Sequence, residues 1–182
     1  MTNGRSYGRY SRLLACLCLL FLMCVSFADG TDIQNSEQEV KAAFIHHFCA
    51  YVTWPQPPAD TQFVVGISAS RKTARVLKKT LEEKTNGACK FSVRSVRPND
   101  DLQGIHILYT TQDGQVSLAD FRALATSPAI LTVSEDNQIP THGVINFVIR
   151  DDYVRFQVSK SRADEIRLKL SSQLLEVAVQ VD

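Results

Sequence analysis

Between Phe63 and Val133, four short apolar runs are separated by polar or helical spacers, and this alternation restricts the chain to very few architectures. Phe63–Ser68 is almost unbroken in its apolar character, as a strand buried on both faces requires. Residues 70–84 repeat apolar side chains at Ala74, Leu77 and Leu81, the spacing of a basic amphipathic helix that Asn86-Gly87 stops. Phe91–Val96 alternates like a strand, and Ile105–Thr110 follows as another after a turn at Pro98–Asp101. Ser117–Ala125 predicts a short helix and Ala129–Val133 a fourth strand. Strand, helix, strand, strand, helix, strand predicts a sheet with helices on its faces, and helical crossovers favour parallel neighbours.

The flanks complete the plan. Val144–Ile149 and Tyr153–Val158, joined at Arg150-Asp151-Asp152, predict a β-hairpin. Ser161-Arg162-Ala163-Asp164 can cap a last helix whose inner stripe is Ile166, Leu170, Leu174, Val177 and Val181. At the other end, Ser36-Glu37-Gln38-Glu39 fits a capping box for a helix with Val40, Ala43, Phe44, His47, Phe48 and Tyr51 on one side. Pro55 ends that helix. The expected fold is α/β: one three-layer domain with a mostly parallel central sheet of about five to six strands flanked by helices. A C-terminal β-hairpin and a long last helix close it.

The first 28 residues read as a cleaved signal peptide rather than as part of this fold. Arg5, Arg9 and Arg12 precede the apolar run Leu13–Val25, and Ser26-Phe27-Ala28 supplies small residues for a cut after Ala28. The run of 13 residues is short of the about 20 that a membrane-spanning helix needs. Residues 29–182 are then the α/β domain, 154 of the 182 residues, a size suited to a single core. The leader carries three of the 20 basic residues and none of the 19 acids, so the remainder has 17 against 19 and a net charge of −2. That balance argues against nucleic acid or an anionic membrane as partner. No second apolar segment is long enough for membrane insertion of the mature chain. An exported chain is expected to work outside the cytoplasm. Of five cysteines, Cys49 and Cys89 remain after the cut. A bridge between them and two buried free thiols are both open readings, because a bridge needs Cα atoms within about 7 Å.

Chemistry-bearing motifs are missing. There is no G-x-S-x-G elbow, no phosphate-cradling glycine loop and no H-E-x-x-H. His46 and His47 are neighbours on a helix and point about 100° apart, while His106 falls in a strand and His142 in a loop. No metal or other cofactor is expected from that pattern. Asp100-Asp101 and Asp151-Asp152 lie in turns, where aspartate bonds its own backbone. The chain reads as a non-enzyme.

Three blocks carry a family likeness. They are Val40-Lys41-Ala42-Ala43-Phe44 running on to Val52-Thr53-Trp54-Pro55, then Gly143-Val144-Ile145-Asn146-Phe147-Val148 with Val154-Arg155-Phe156, then Leu168-Lys169-Leu170-Ser171-Ser172-Gln173-Leu174-Leu175. In this order they resemble the YfiR-like periplasmic regulators. The resemblance implies a regulator that restrains an inner-membrane diguanylate cyclase through that enzyme's periplasmic segment, with an outer-membrane lipoprotein relieving the restraint. The output is cyclic di-GMP signalling and biofilm formation. A homodimer fits the excess of apolar residues on the terminal helices. Where some relatives have cysteines in the first strand and at the start of the third, this chain has Val65 and Ile105, so a Cys49–Cys89 bridge would be a different one. Trp54, Asn146 and Arg155 are the candidates for ligand or partner contact. The rival reading is a periplasmic receptor for a small ligand, with a pocket at the strand ends beneath these three residues.

Overall fold

The structure, a computed structural model, describes residues 30–83, 89–121, 124, 129–135 and 143–182, with side chains from residue 36 onward. The leader, Asn86-Gly87, His142 and residues 122, 123 and 125 of the 117–125 segment lie outside the described residues. Gln34–Asp182 is one compact unit. No helix among the described residues is long and apolar enough to cross a membrane.

The elements in order are α1 (Gly30–Tyr51), β1 (Val52–Thr53), β2 (Gln62–Ser68), α2 (Arg71–Glu83), β3 (Lys90–Ser95), β4 (Ile107–Thr110), β5 (Leu131–Ser134), β6 (Ile145–Arg150), β7 (Tyr153–Val158), α3 (Lys160–Glu165), β8 (Lys169–Leu170), α4 (Ser172–Val177) and β9 (Gln180–Val181). The main sheet has seven strands in the order β3-β2-β4-β5-β6-β7-β9, and β1 pairs with β8 in a separate two-stranded strap. All its pairings are parallel except the β6–β7 hairpin. The expected fold class holds, and β9 takes the strand count above the expected five to six.

Alternation along the strands divides the core. Phe63, Val65 and Ile67 of β2, Ile107 and Tyr109 of β4 and Phe147 of β6 face one side, where Ile45 and Phe48 of α1, Leu77 and Leu81 of α2 and Leu174 of α4 meet them. On the other face, Leu108 packs with Val96, Leu102, Ile105, Leu118, Phe121 and Ile130. Among the described residues the cover on that side is loop and a 3₁₀ turn, Leu118–Asp120, where the start of a helix was expected. Gly66 lets this cover sit close: a Cβ there would lie 2.7 Å from Ile105 Cδ1.

The hairpin forms as expected. Arg150 pairs with Tyr153. Asp151 and Asp152 between them have φ of 50° and 63°, the two-residue turn whose twist matches the strands.

The ends depart from expectation. α1 starts by Gly30, so Ser36 lies inside the helix and no capping box begins it there. The long last helix is two short ones. Ser159, not Ser161, caps α3 by accepting from the Arg162 amide. Arg167 then adopts φ 64°, with Leu168 N–H donating to the Ala163 carbonyl at 2.9 Å and Arg167 N–H to the Asp164 carbonyl at 3.0 Å. These two bonds are a Schellman termination, with Leu168 packed where such motifs bury an apolar residue. Lys169–Leu170 pairs with β1, Ser171 caps α4, and β9 lies against β7.

Candidate functional site

The sheet has a topological switch point. β2 is flanked by β3 and β4, and the two connections pass on opposite faces: α2 on one, the Val96–Ile105 loop on the other. In such sheets the crevice beyond the strands' carboxyl ends is where ligands bind. Here the chain's own loop fills it. Thr111 N–H donates to the Ser68 carbonyl at 3.0 Å, and Gly114 passes so close that a Cβ would lie 2.8 Å from that oxygen. Asp113 accepts from Ser70 N–H at 3.2 Å, Thr73 Oγ1 at 2.6 Å and Thr111 Oγ1 at 2.5 Å. Burial pushes its carboxyl up, but the hydrogen bonds from Ser70, Thr111 and Thr73 outweigh that and hold it below the ordinary aspartate value. A carboxylate of the protein thus occupies the start of α2, where an external anion would be held.

Beside this plug is a buried ionic network. Lys41 of α1 pairs with Glu37 and, at 3.0 Å, with Glu135 beyond the end of β5. Tyr109 OH donates to Glu135, and Gln112 N–H donates to the same carboxylate at 3.2 Å. Burial first, and then the Glu135 charge, pushes the Tyr109 phenol well above its usual value. None of Tyr109, Asp113 and Glu135 was marked by motif. The Asp113-Gly114 pair directly after a buried strand was the available signal.

The opposite end of the strands, before β4 and β5, holds a cleft of about 920 Å³ lined by Trp54, Gln103, His106, Arg162, Glu165 and Arg167 among others. Trp54 is 5% exposed, its ring edge-on to Phe63 at 5.0 Å and its Nε1 donating to the His106 carbonyl at 3.4 Å. His106 Nδ1 accepts from Val64 N–H at 3.0 Å, which places the neutral ring's proton on Nε2, and burial holds its pKa below the ordinary histidine value. Arg162 pairs with Glu165 at 2.6 Å.

The three contact candidates are not brought together. Trp54 forms part of this cleft. Asn146 is fully buried in β6, accepting from Ser134 Oγ at 3.0 Å and donating to Gln157 Oε1 at 3.2 Å. Arg155 is exposed on the hairpin, its guanidinium 5.4 Å from the Tyr153 ring centroid. Cys49 and Cys89 are bonded to each other, tying the end of α1 to the start of β3. The His46 ring lies 5.3 Å from the Phe91 ring, tilted to it, and no group of three or more metal-ligating side chains occurs among the described residues.

No curated relative matches the chain. A crystal structure of a conserved domain protein from Vibrio cholerae O1 biovar El Tor has the same fold, with a TM-score of 0.51 at 9% identity. The match covers 80% of this chain and 60% of that protein's length. The model of the YfiR/HmsC-like family matches residues 38–179, which takes in all three sequence blocks, the plugged crevice and both cysteines. This chain belongs to the YfiR/HmsC-like family.

Proposed function

We propose that this chain is a non-enzymatic periplasmic regulatory protein. It restrains an inner-membrane diguanylate cyclase by contacting that enzyme's periplasmic segment, and so lowers cyclic di-GMP signalling. The family match over residues 38–179 carries this reading. The crevice filled by Asp113 supports it, since the place where this type of sheet binds substrates is taken by the protein itself. An outer-membrane lipoprotein is the proposed release partner. Arg155, exposed and stacked on Tyr153, is the proposed contact, as arginine and tyrosine dominate the energetics of protein interfaces. Trp54 and Asn146, both buried, are proposed to support the fold. The test is capture of the mature protein from solubilised membranes. A cyclase with a periplasmic segment should co-purify, less of it should be recovered with Arg155→Glu, and deleting the gene should raise cyclic di-GMP. Absence of any such cyclase, with cyclic di-GMP unchanged, refutes the reading.

The second reading is a receptor for a small ligand, and the cleft beneath Trp54 favours it. A ligand found by thermal-shift screening should raise the melting midpoint, and Arg167→Ala should reduce the rise. A flat screen argues against a receptor.

A further inference from the structure

The net charge of −2 conceals a division. Between Arg71 and Arg97 lie nine of the 17 basic residues and two of the 19 acids, a net charge of +7. The rest of the chain from Asp29 onward has eight basic residues against 17 acids, a net charge of −9. The basic stretch is α2 and β3, so the positive charge is gathered at one edge of the main sheet. Five of the cations, Arg71, Lys72, Arg75, Lys78 and Lys79, fall in the first nine residues of α2, and its two acids, Glu82 and Glu83, come last. That order opposes the helix dipole, which favours acids at the start and bases at the end. Helix stability therefore does not account for it.

Packing fixes where these side chains stand. Thr73, Leu77 and Leu81 are buried, and the exposed positions of α2 are all charged. Glu82 accepts from Val93 N–H of β3, the outermost strand, at 3.3 Å. Arg71, Arg75 and Lys78 precede Glu82 at helical spacing, so they form one ridge with it along that edge. Lys78 pairs with Glu82 at 3.9 Å. Arg71, Lys72, Arg75 and Lys79 meet no carboxylate at ion-pair distance among the described residues. On β3, Lys90 and Arg94 are exposed, and Arg94 donates to the Asp101 carbonyl at 2.8 Å. Charge on an edge strand blocks strand addition, but that role asks for no cations on the helix beside it.

An occupant of this edge must be anionic, and it cannot depend on apolar burial. Stable protein contacts centre on desolvated, well-packed anchors. The exposed face of α2 offers only solvated charge, and the clefts beneath Trp54 and beside Glu135 take no residue from it. A layer of phosphodiesters asks only for a broad basic face. We propose that the α2–β3 edge is a docking surface for the anionic phospholipid headgroups of a bilayer, which the protein touches without inserting. The same headgroups repel the acidic remainder, so the sheet stands edge-on with β3 lowest. The order β3-β2-β4-β5-β6-β7 then lifts the hairpin strand β7 about 24 Å above β3. Net charge alone argues against an anionic membrane, and its distribution reverses that argument. The inference goes beyond the regulatory reading, and vesicles test it in the absence of any cyclase.

The test is co-sedimentation of the exported, oxidised chain with vesicles at low salt. The chain should pellet with vesicles containing phosphatidylglycerol, stay in solution with phosphatidylcholine alone, and be released by high salt. Arg75→Glu with Lys79→Glu should weaken binding by about tenfold or more. Lys160→Glu with Lys169→Glu, both exposed elsewhere, makes the same change in net charge and should leave binding within about twofold. If a double variant misfolds, Lys79→Gln against Lys169→Gln makes the same comparison. A chain that stays in solution with phosphatidylglycerol vesicles overturns the proposal, and so do equal losses in the paired variants. Retention on immobilised polyglutamate without vesicle binding overturns it in favour of an acidic protein partner.

Discussion

The Lys41 ammonium lies 3.0 Å from the Glu135 carboxylate, with only 4% and 10% of the two side chains exposed. Removing one partner of a buried pair strands the other charge. Lys41→Ala is therefore expected to cost about 3–5 kcal/mol. Lys41→Met with Glu135→Gln keeps the volume, leaves an acceptor for Tyr109 and Gln112, and should lose less than Lys41→Ala alone. Urea midpoints of the three proteins check this. A Lys41→Ala midpoint equal to wild type would mean that the pair is open to water.

Asn146 makes a different kind of prediction. Its amide satisfies Ser134 Oγ and Gln157 Oε1 in a buried part of the sheet. Asn146→Leu leaves two buried polar groups stranded at about 1–3 kcal/mol each. Equilibrium unfolding should show that loss, and the Ser134→Ala, Asn146→Leu double mutant should recover part of it. Simple additivity of the two changes would contradict coupling between Ser134 and Asn146.

Stability should fall with acid in two steps. His106 has a folded pKa below its unfolded value, so its neutral form is the one the fold favours. Its contribution is complete above the unfolded pKa of 6.5 and is lost as pH falls from there through the folded pKa. Asp113 is also depressed, so its contribution is complete above 3.8 and is lost below that. Melting midpoints between pH 8 and pH 3 should decline first below neutrality and again in the acid range. His106→Gln should flatten the first decline and Asp113→Asn the second. A wild-type midpoint constant from pH 7 to pH 5 contradicts the His106 assignment.

The Cys49–Cys89 bridge spans 40 residues of chain. Loop-closure entropy for such a span corresponds to about 4 kcal/mol. Cys49→Ser with Cys89→Ser should lose a stability of that order, and dithiothreitol should bring the wild type to the same midpoint. Non-reducing peptide mapping should recover the Cys49–Cys89 pair, and two free thiols there would contradict it.

What was legible in the sequence was whatever a local pattern encodes. β2 reads as a buried strand because it is apolar on both faces. The hairpin reads from a two-residue polar turn between two alternating runs, and Tyr153–Val158 matches its expected bounds. The last helix misled because Ile166, Leu170 and Leu174 keep helical spacing across a break. That break is made by Arg167 in a left-handed conformation, which a glycine would have announced and an arginine conceals. The site was hidden for a further reason. Asp113 matters only because β4 lies beside β2, and Lys41 is buried only because α1 crosses the end of β5. Strand order creates both relations, and no local spacing carries them.

The loop around Asp113 has a consequence for control. A ligand that belongs to the chain is tethered, present at an effective concentration of the order of mM whatever the surroundings hold. It cannot be diluted, exported or competed away by trace metabolites. The donors at the start of α2, where related architectures hold an external anion, are therefore engaged by the chain itself. An incoming anion has to displace the Asp113 carboxylate before it reaches the donors at the start of α2.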